Sequence, residues 1–184
     1  MALINLHNHS TYSDGTLTPG ALAREAVRAG IKYFSLTDHD TVGGWAEIEP
    51  ALKETGIAYC HGVELTTNLH DNLHILGYGV DINNAGFLDD LAGFRARRIE
   101  RLRKIVALLQ KQGIEIKFEE LPSDKMRTVG RPHIADLLKK KGVVKTRKQG
   151  FWQYVAYGQS AYAPPSSPDV ETAIRAIKKA GGLA

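Results

Sequence analysis

The chain contains one cysteine, Cys60, and that scarcity excludes an intramolecular disulfide and any zinc site built from several thiolates. A reducing compartment suits such a composition, and the cytoplasm is the expected location. No apolar run reaches transmembrane length. Met1 passes directly into Ala2-Leu3-Ile4-Asn5-Leu6 with no basic leader, long apolar segment or cleavage site. A soluble protein without a membrane partner is therefore expected. Internal repeats and low-complexity tracts are also lacking, although Pro164-Pro165-Ser166-Ser167-Pro168 marks a connection. Apolar side chains are plentiful: 43% of the 184 residues are hydrophobic, enough for one domain, or one domain carrying an insertion, to bury a core.

Charge is distributed unevenly. Residues 84–162 hold 17 Lys/Arg against 8 Asp/Glu, or +9, whereas the remainder holds 7 against 12, or −5. Acidic clusters suit cations and basic ones suit polyanions, so an acidic body with a basic insert favours a metal-containing protein that handles a phosphorylated ligand. For any single lysine, solvated surface charge is the simpler reading.

The hydrophobic pattern predicts a strand over 3–6, then Thr18-Pro19 as N-cap and first position of a helix ending near Gly30. Strands are expected at 33–37, 58–65 and 73–80, with a helix over 44–55, so this part alternates β and α. After Asn83-Asn84 a long amphipathic helix runs to about Gln112, with Phe87, Leu91, Phe94, Leu102, Ile105 and Leu109 at helical spacing and Arg98 in register with them. A second helix is expected from Pro132 through Lys141, and the aromatic stretch from Phe151 to Tyr157 should give this section its own small core. A last helix over 168–180 leads to Gly181-Gly182-Leu183-Ala184, read as the entry to another strand. The expected organisation is an α/β body over 1–83, an inserted helical cap over 84–162, and a return to the body over 163–184.

Side chains at i and i+2 of a strand share a face, so His7 and His9 can aim two imidazoles at one point. Imidazole suits zinc, manganese or iron, and Asp14 would complete a mixed nitrogen and oxygen set. Thr37-Asp38-His39-Asp40 ends the second strand. Glu64 finishes the third, where a buried carboxylate demands a cation or hydrogen bonds. His74 lies in the fourth. Singly, each has a bland alternative: Asp14 as a turn former, Asp38 or Asp40 as helix caps, Glu64 as a surface ion pair, His74 as a hydrogen-bonded core histidine. Together, four successive strand regions each offer a ligand-type residue near one end, as expected at the mouth of a β/α barrel where the loops converge. His61 and His70 fit no such pattern and read as strand or surface and as loop.

The ordered set His7-Asn8-His9-Ser10, Ser13-Asp14-Gly15, Leu36-Thr37-Asp38-His39-Asp40-Thr41, Gly62-Val63-Glu64 and His74-Ile75-Leu76-Gly77-Tyr78 resembles the polymerase and histidinol phosphatase (PHP) superfamily. Within it, the chain looks most like the nucleotide phosphoesterase branch that removes the 3′-phosphate of 3′,5′-bisphosphonucleotides or trims short RNA from the 5′ end. The resemblance covers nearly the whole chain. It implies a distorted seven-stranded β/α barrel holding two or three divalent ions, manganese, zinc or iron. It also implies His7, His9, Asp14, His39, Glu64 and His74 as ligands, with Glu64 bridging two ions and Asp14, His39 and Glu64 closest to catalysis.

The branch carries a helical insertion with a basic residue ahead of a histidine, matched here by Gly130-Arg131-Pro132-His133. Arg131 and His133, with Arg98 and Arg101 of the long helix, are the implied contacts to a phosphorylated substrate. The alternative for the helix arginines, Arg95 included, is pairing with Asp89, Asp90 or Glu100. The family pattern continues past Gly-Gly-Leu-Ala with an Ala-His-Pro and an Asp-x-His motif, neither of which is among the 184 residues. A C-terminally incomplete barrel lacking three ligands is therefore expected. The function implied is a divalent-metal phosphoesterase acting on a nucleotide or short oligonucleotide. A histidinol-phosphatase-like enzyme, or a non-catalytic metal-containing module like those of DNA polymerases, are the alternatives.

Overall fold

The computed structural model describes residues 3–70, 73–122 and 126–184, and its fold is mixed α/β. Three short strands, β1 (Ile4–Asn5), β2 (Tyr33–Phe34) and β3 (Ala58–Tyr59), form a parallel sheet in that order, with Ile4 opposite Tyr33 and Phe34 opposite Tyr59. Parallel neighbours need crossovers, and α1 (Pro19–Arg28) and α2 (Trp45–Lys53) supply them. α1 starts where the local chemistry places it. Thr18 is the N-cap, its Oγ1 accepting from the Ala21 N–H at 3.3 Å, and Pro19 sits in the first turn where no amide hydrogen is needed.

Beyond β3 the chain changes partner. The Cys60 N–H still bonds the Phe34 carbonyl, but the Glu64 N–H bonds the Asp38 carbonyl and the Asp40 N–H bonds the Glu64 carbonyl. The single strand expected over 58–65 is consequently two elements, β3 and β4 (Gly62–Thr66), separated by Cys60 and His61. β4 pairs antiparallel with β5 (His74–Tyr78), setting Glu64 opposite Leu76 and Thr66 opposite His74. Only residues 67–73 connect β4 to β5, too few for the crossover a parallel pair would require. Leu183, in the segment expected to enter a further strand, bridges Tyr78 in antiparallel fashion. Among the described residues, five strands form a three-stranded and a two-stranded sheet, and they do not close into a barrel.

The long helix α3 (Ala85–Lys111) is capped by Asn84, whose Oδ1 accepts from the Phe87 N–H at 2.9 Å. Its first turns bury Phe87, Leu91 and Phe94 in a core shared with Ile48, Leu65 and Ile177 of α5 (Val170–Lys179). Its later turns bury Leu102, Ile105 and Leu109 in a second core with Ile134 and Leu138 of α4 (Arg131–Lys140). Fully burying such a side chain contributes roughly 1.5–3 kcal/mol, so α3 is held at both ends. The stretch Arg95 to Arg101 falls where one core gives way to the other. In the second core, Phe151 and Tyr154 pack inward while Trp152 is exposed, because successive positions on a helical turn over Phe151–Val155 cannot share one face, and Tyr157, beyond that turn, is exposed too. No helix among the described residues is long and apolar enough to cross a membrane.

Candidate metal centre and the cavity beside it

The site begins at the carboxyl end of β1. Asn8 is pinned outward, its amide donating to the carbonyls of Asn5 (3.1 Å) and Ser35 (2.9 Å), and its N–H bonds Thr37 Oγ1 at 3.1 Å. His7 and His9, on either side of it, turn the other way and bring their Nε2 atoms to 3.1 Å from each other. Both reach Glu64 Oε2 at 2.9 Å. The second oxygen of Glu64 accepts from His74 Nδ1 at 2.6 Å, a contact that follows from the β4–β5 register, in which Glu64, Thr66 and His74 share one face. His39 lies beside Glu64 through a parallel bridge, its Nδ1 3.7 Å from Oε2 and its Nε2 3.8 Å from Asp14 Oδ2. Asp14 Oδ1 is 3.4 Å from His9 Nδ1.

All six candidate ligands are thus in one cluster, which divides into three overlapping triads: His7-His9-Glu64, His9-Asp14-His39 and His39-Glu64-His74. Within each triad the donor atoms lie within 4.8 Å of one another. Burial works to raise the Glu64 carboxyl, but hydrogen bonds from His74, His9 and His7 outweigh it and hold the group far below the usual carboxylate range. Burial, reinforced by Arg98, holds the His39 imidazole well below its ordinary value, so it is neutral, the form that ligates metals. His39 Nδ1 is buried without a hydrogen-bond partner. A buried orphan nitrogen, imidazole nitrogens facing each other and an anionic carboxylate between them form a donor set that fits divalent ions.

Beside the cluster lies a cavity of about 160 Å³, with Asp14, His39 and His74 on one wall and Arg98, Arg101, Arg131 and His133 among the residues completing it. The four residues expected at a substrate therefore line one space. Arg98 does not pair with Asp89, Asp90 or Glu100; it donates from Nε to Asp40 Oδ2 (3.1 Å) and from Nη2 to Thr66 Oγ1 (2.9 Å). Arg101 is buried and donates to the Ala163 carbonyl at 2.8 Å. Arg131 stacks over Phe151 at 5.0 Å and donates to the Val155 carbonyl at 3.3 Å. His133 Nδ1 accepts from the Gly130 N–H at 3.1 Å, and burial lowers its pKa, leaving a neutral ring.

Sequence reasoning missed two residues here. Asp38 and Asp40 are not helix caps, since the N-cap of α2 is Gly44, with no side-chain cap hydrogen bond. Asp38 accepts from the Ser10 N–H (2.7 Å), Ser10 Oγ (2.6 Å) and Ser13 Oγ (2.6 Å), shaping the loop that presents Asp14. Asp40 joins the strand ends to α3. Only their position in the Thr37-to-Asp40 run hinted at either role. His61 lies outside the cluster, edge-on to Trp45 at 4.7 Å, and His70 is in the loop after β4.

Known proteins resemble the chain throughout. A 5′-3′ exoribonuclease of Haemophilus influenzae is 36% identical over 181 residues, 98% of this chain and 66% of that protein. A 3′,5′-nucleoside bisphosphate phosphatase of Chromobacterium violaceum is 34% identical over 187 residues, 100% of this chain and 66% of that protein. A solved Bifidobacterium adolescentis structure assigned as a metal-dependent phosphoesterase superposes with a TM-score of 0.87 at 34% identity, covering 97% of this chain and 64% of that one. An amidohydrolase of Chromobacterium violaceum, solved with sulfate and no metal, does so with 0.87 at 33%, covering 98% and 65%. The chain thus spans about two thirds of the length of these relatives. The PHP domain pattern itself matches residues 5–141, and with the His and Glu cluster arranged as above, the chain belongs to the PHP domain family.

Proposed function

We propose that this chain carries the site of a metal-dependent phosphoesterase acting on phosphate esters of nucleotides, either the 3′-phosphate of a 3′,5′-bisphosphonucleotide or the 5′ end of a short RNA. The observation that carries this reading is the juxtaposition of three donor triads with a cavity walled by Arg98, Arg101 and Arg131. The names of the exoribonuclease and bisphosphate phosphatase relatives support the nucleotide class. In this reading His7, His9, Asp14, His39, Glu64 and His74 hold two or three ions of manganese, zinc or iron, with Glu64 shared between positions. Such ions supply Lewis acidity toward phosphoryl oxygens and a water acidic enough to attack near neutral pH.

The chain's own residues do the rest. Asp14, His39 and Glu64 face the reacting phosphoryl group, the guanidinium groups bind and orient the phosphate, and His133 donates a hydrogen bond from its neutral ring. Burial of Arg101 and His39 keeps water from competing at that wall. Residues 84–162 act as the basic cap of the body formed by 1–83 and 163–184. The parallel β1-β2-β3 sheet, with its functional groups at the carboxyl ends, is proposed as part of a distorted seven-stranded β/α barrel. The single-cysteine composition suits the cytoplasm.

The test is equilibrium dialysis of the purified chain against zinc or manganese, then calorimetric titration with a 3′,5′-bisphosphonucleotide before and after chelation. Two or three ions per chain and nucleotide binding that needs them are expected. A chain that folds, binds no metal and ignores the nucleotide would refute the reading.

A further inference from the structure

Asp40 is among the most constrained residues of the molecule. It is 2% exposed, and among the described residues it is the one non-glycine residue with positive φ, 51°. That left-handed conformation is tolerated by aspartate and asparagine better than by most residues. Each of its polar groups is engaged. The N–H donates to the Glu64 carbonyl at 2.9 Å, and the carbonyl accepts from Arg95 Nη1 at 2.8 Å. Oδ1 accepts from the Thr66 N–H at 3.0 Å, and Oδ2 from Arg98 Nε at 3.1 Å. Although it adjoins His39, Asp40 belongs to none of the donor triads.

The consequence falls on Arg98. A guanidinium has five N–H donors in a rigid plane. Asp40 takes the Nε–H and Thr66 Oγ1 takes one Nη2 hydrogen, so the other three remain for a ligand in the cavity that Arg98 lines. Gly130 leaves that side open: a Cβ there would lie 3.4 Å from Arg98 Nη1.

We infer that Asp40 is a positioning residue for phosphate binding, fixing Arg98 so that its unpaired guanidinium edge faces the cavity while tying α3 to the strand ends that present His39 and Glu64. The inference rests on the phosphoesterase reading and adds how its phosphate grip is aimed. Held by a carboxylate at one end and a hydroxyl at the other, Arg98 meets a phosphoryl group without losing side-chain freedom at that moment.

The experiment uses the manganese-loaded chain titrated calorimetrically with inorganic phosphate. Asp40→Asn keeps the tolerance for positive φ and one carbonyl acceptor, and Asp40→Gly keeps the backbone and removes both acceptors. Each should weaken phosphate binding about tenfold, with manganese content and affinity unchanged. Arg98→Lys should weaken it similarly, and adding Asp40→Asn to Arg98→Lys should cost little more, because the two act as a unit. Should Asp40→Gly fail to fold, Asp40→Asn carries the test. Unchanged phosphate affinity in a folded, metal-loaded Asp40→Asn, or additive losses in the double variant, would overturn the inference while leaving the phosphoesterase reading intact. Loss of manganese from Asp40→Asn would overturn it too, placing Asp40 in the metal site. A parent chain that binds manganese but no phosphate would bring down both.

Discussion

Replacing Glu64 by glutamine preserves side-chain volume and removes one charge at the centre of the cluster. Glu64 is 5% exposed and belongs to two of the three donor triads, so only His9-Asp14-His39 would remain complete. The amide offers one acceptor oxygen where the carboxylate now takes His7 and His9 at 2.9 Å on one oxygen and His74 at 2.6 Å on the other. Losing even a supporting partner of a metal typically costs about 10–100-fold in affinity, which is about 1.4–2.8 kcal/mol. A group shared by two positions imposes that loss at both. At metal concentrations that saturate the parent, the variant should therefore retain at most the ion held by the Asp14 triad, the others requiring at least tenfold more metal, on the same scale. Equilibrium dialysis followed by elemental analysis, with chelator competition for affinity, reads both quantities. A folded Glu64→Gln variant with parental stoichiometry and affinity would refute the shared role.

Metal removal should lower thermal stability, since an ion at a hundred times its Kd contributes about 2.7 kcal/mol; identical calorimetric melting with and without chelator would contradict a folded-state site. Joint replacement of Asp14 and His39 by alanine should abolish the middle triad and lower metal content, and an unchanged elemental analysis would reject that assignment. Arg131→Ala should raise KM for a nucleotide about tenfold and, because Arg131 also stacks on Phe151 and bonds the Val155 carbonyl, should cost about 1 kcal/mol of stability; an unaltered KM removes it from the site. Asp38→Asn should destabilise the chain by about 2 kcal/mol, because an amide cannot accept all three bonds from Ser10 and Ser13; an unshifted urea midpoint would show that the loop is held by other contacts.

Features with local causes were legible in the sequence. Thr18-Pro19 marked the start of α1 because a hydroxyl cap and a proline each act within one turn, and the spacing from Phe87 to Leu109 revealed α3 because helical periodicity is a property of consecutive residues. Ligand chemistry admits few residue types, so ligand-type side chains at the strand ends stood out before any geometry was known, and the resemblance to the PHP superfamily narrowed them to His7, His9, Asp14, His39, Glu64 and His74. The register of Arg98 within the apolar stripe was visible too, but its partner was not. Tertiary structure alone decided that Glu64 faces His74 across an antiparallel pair, that residues 58–65 split when the chain leaves Phe34 for Asp38, and that Asp38 and Asp40 serve as anchors instead of caps. Each of those outcomes depends on groups far apart along the chain, 58 residues in the case of Asp40 and Arg98. Local preference cannot select among the carboxylates within reach of such a guanidinium, and the selection is made only when two cores, packed on the two ends of α3, bring that helix against the strand ends.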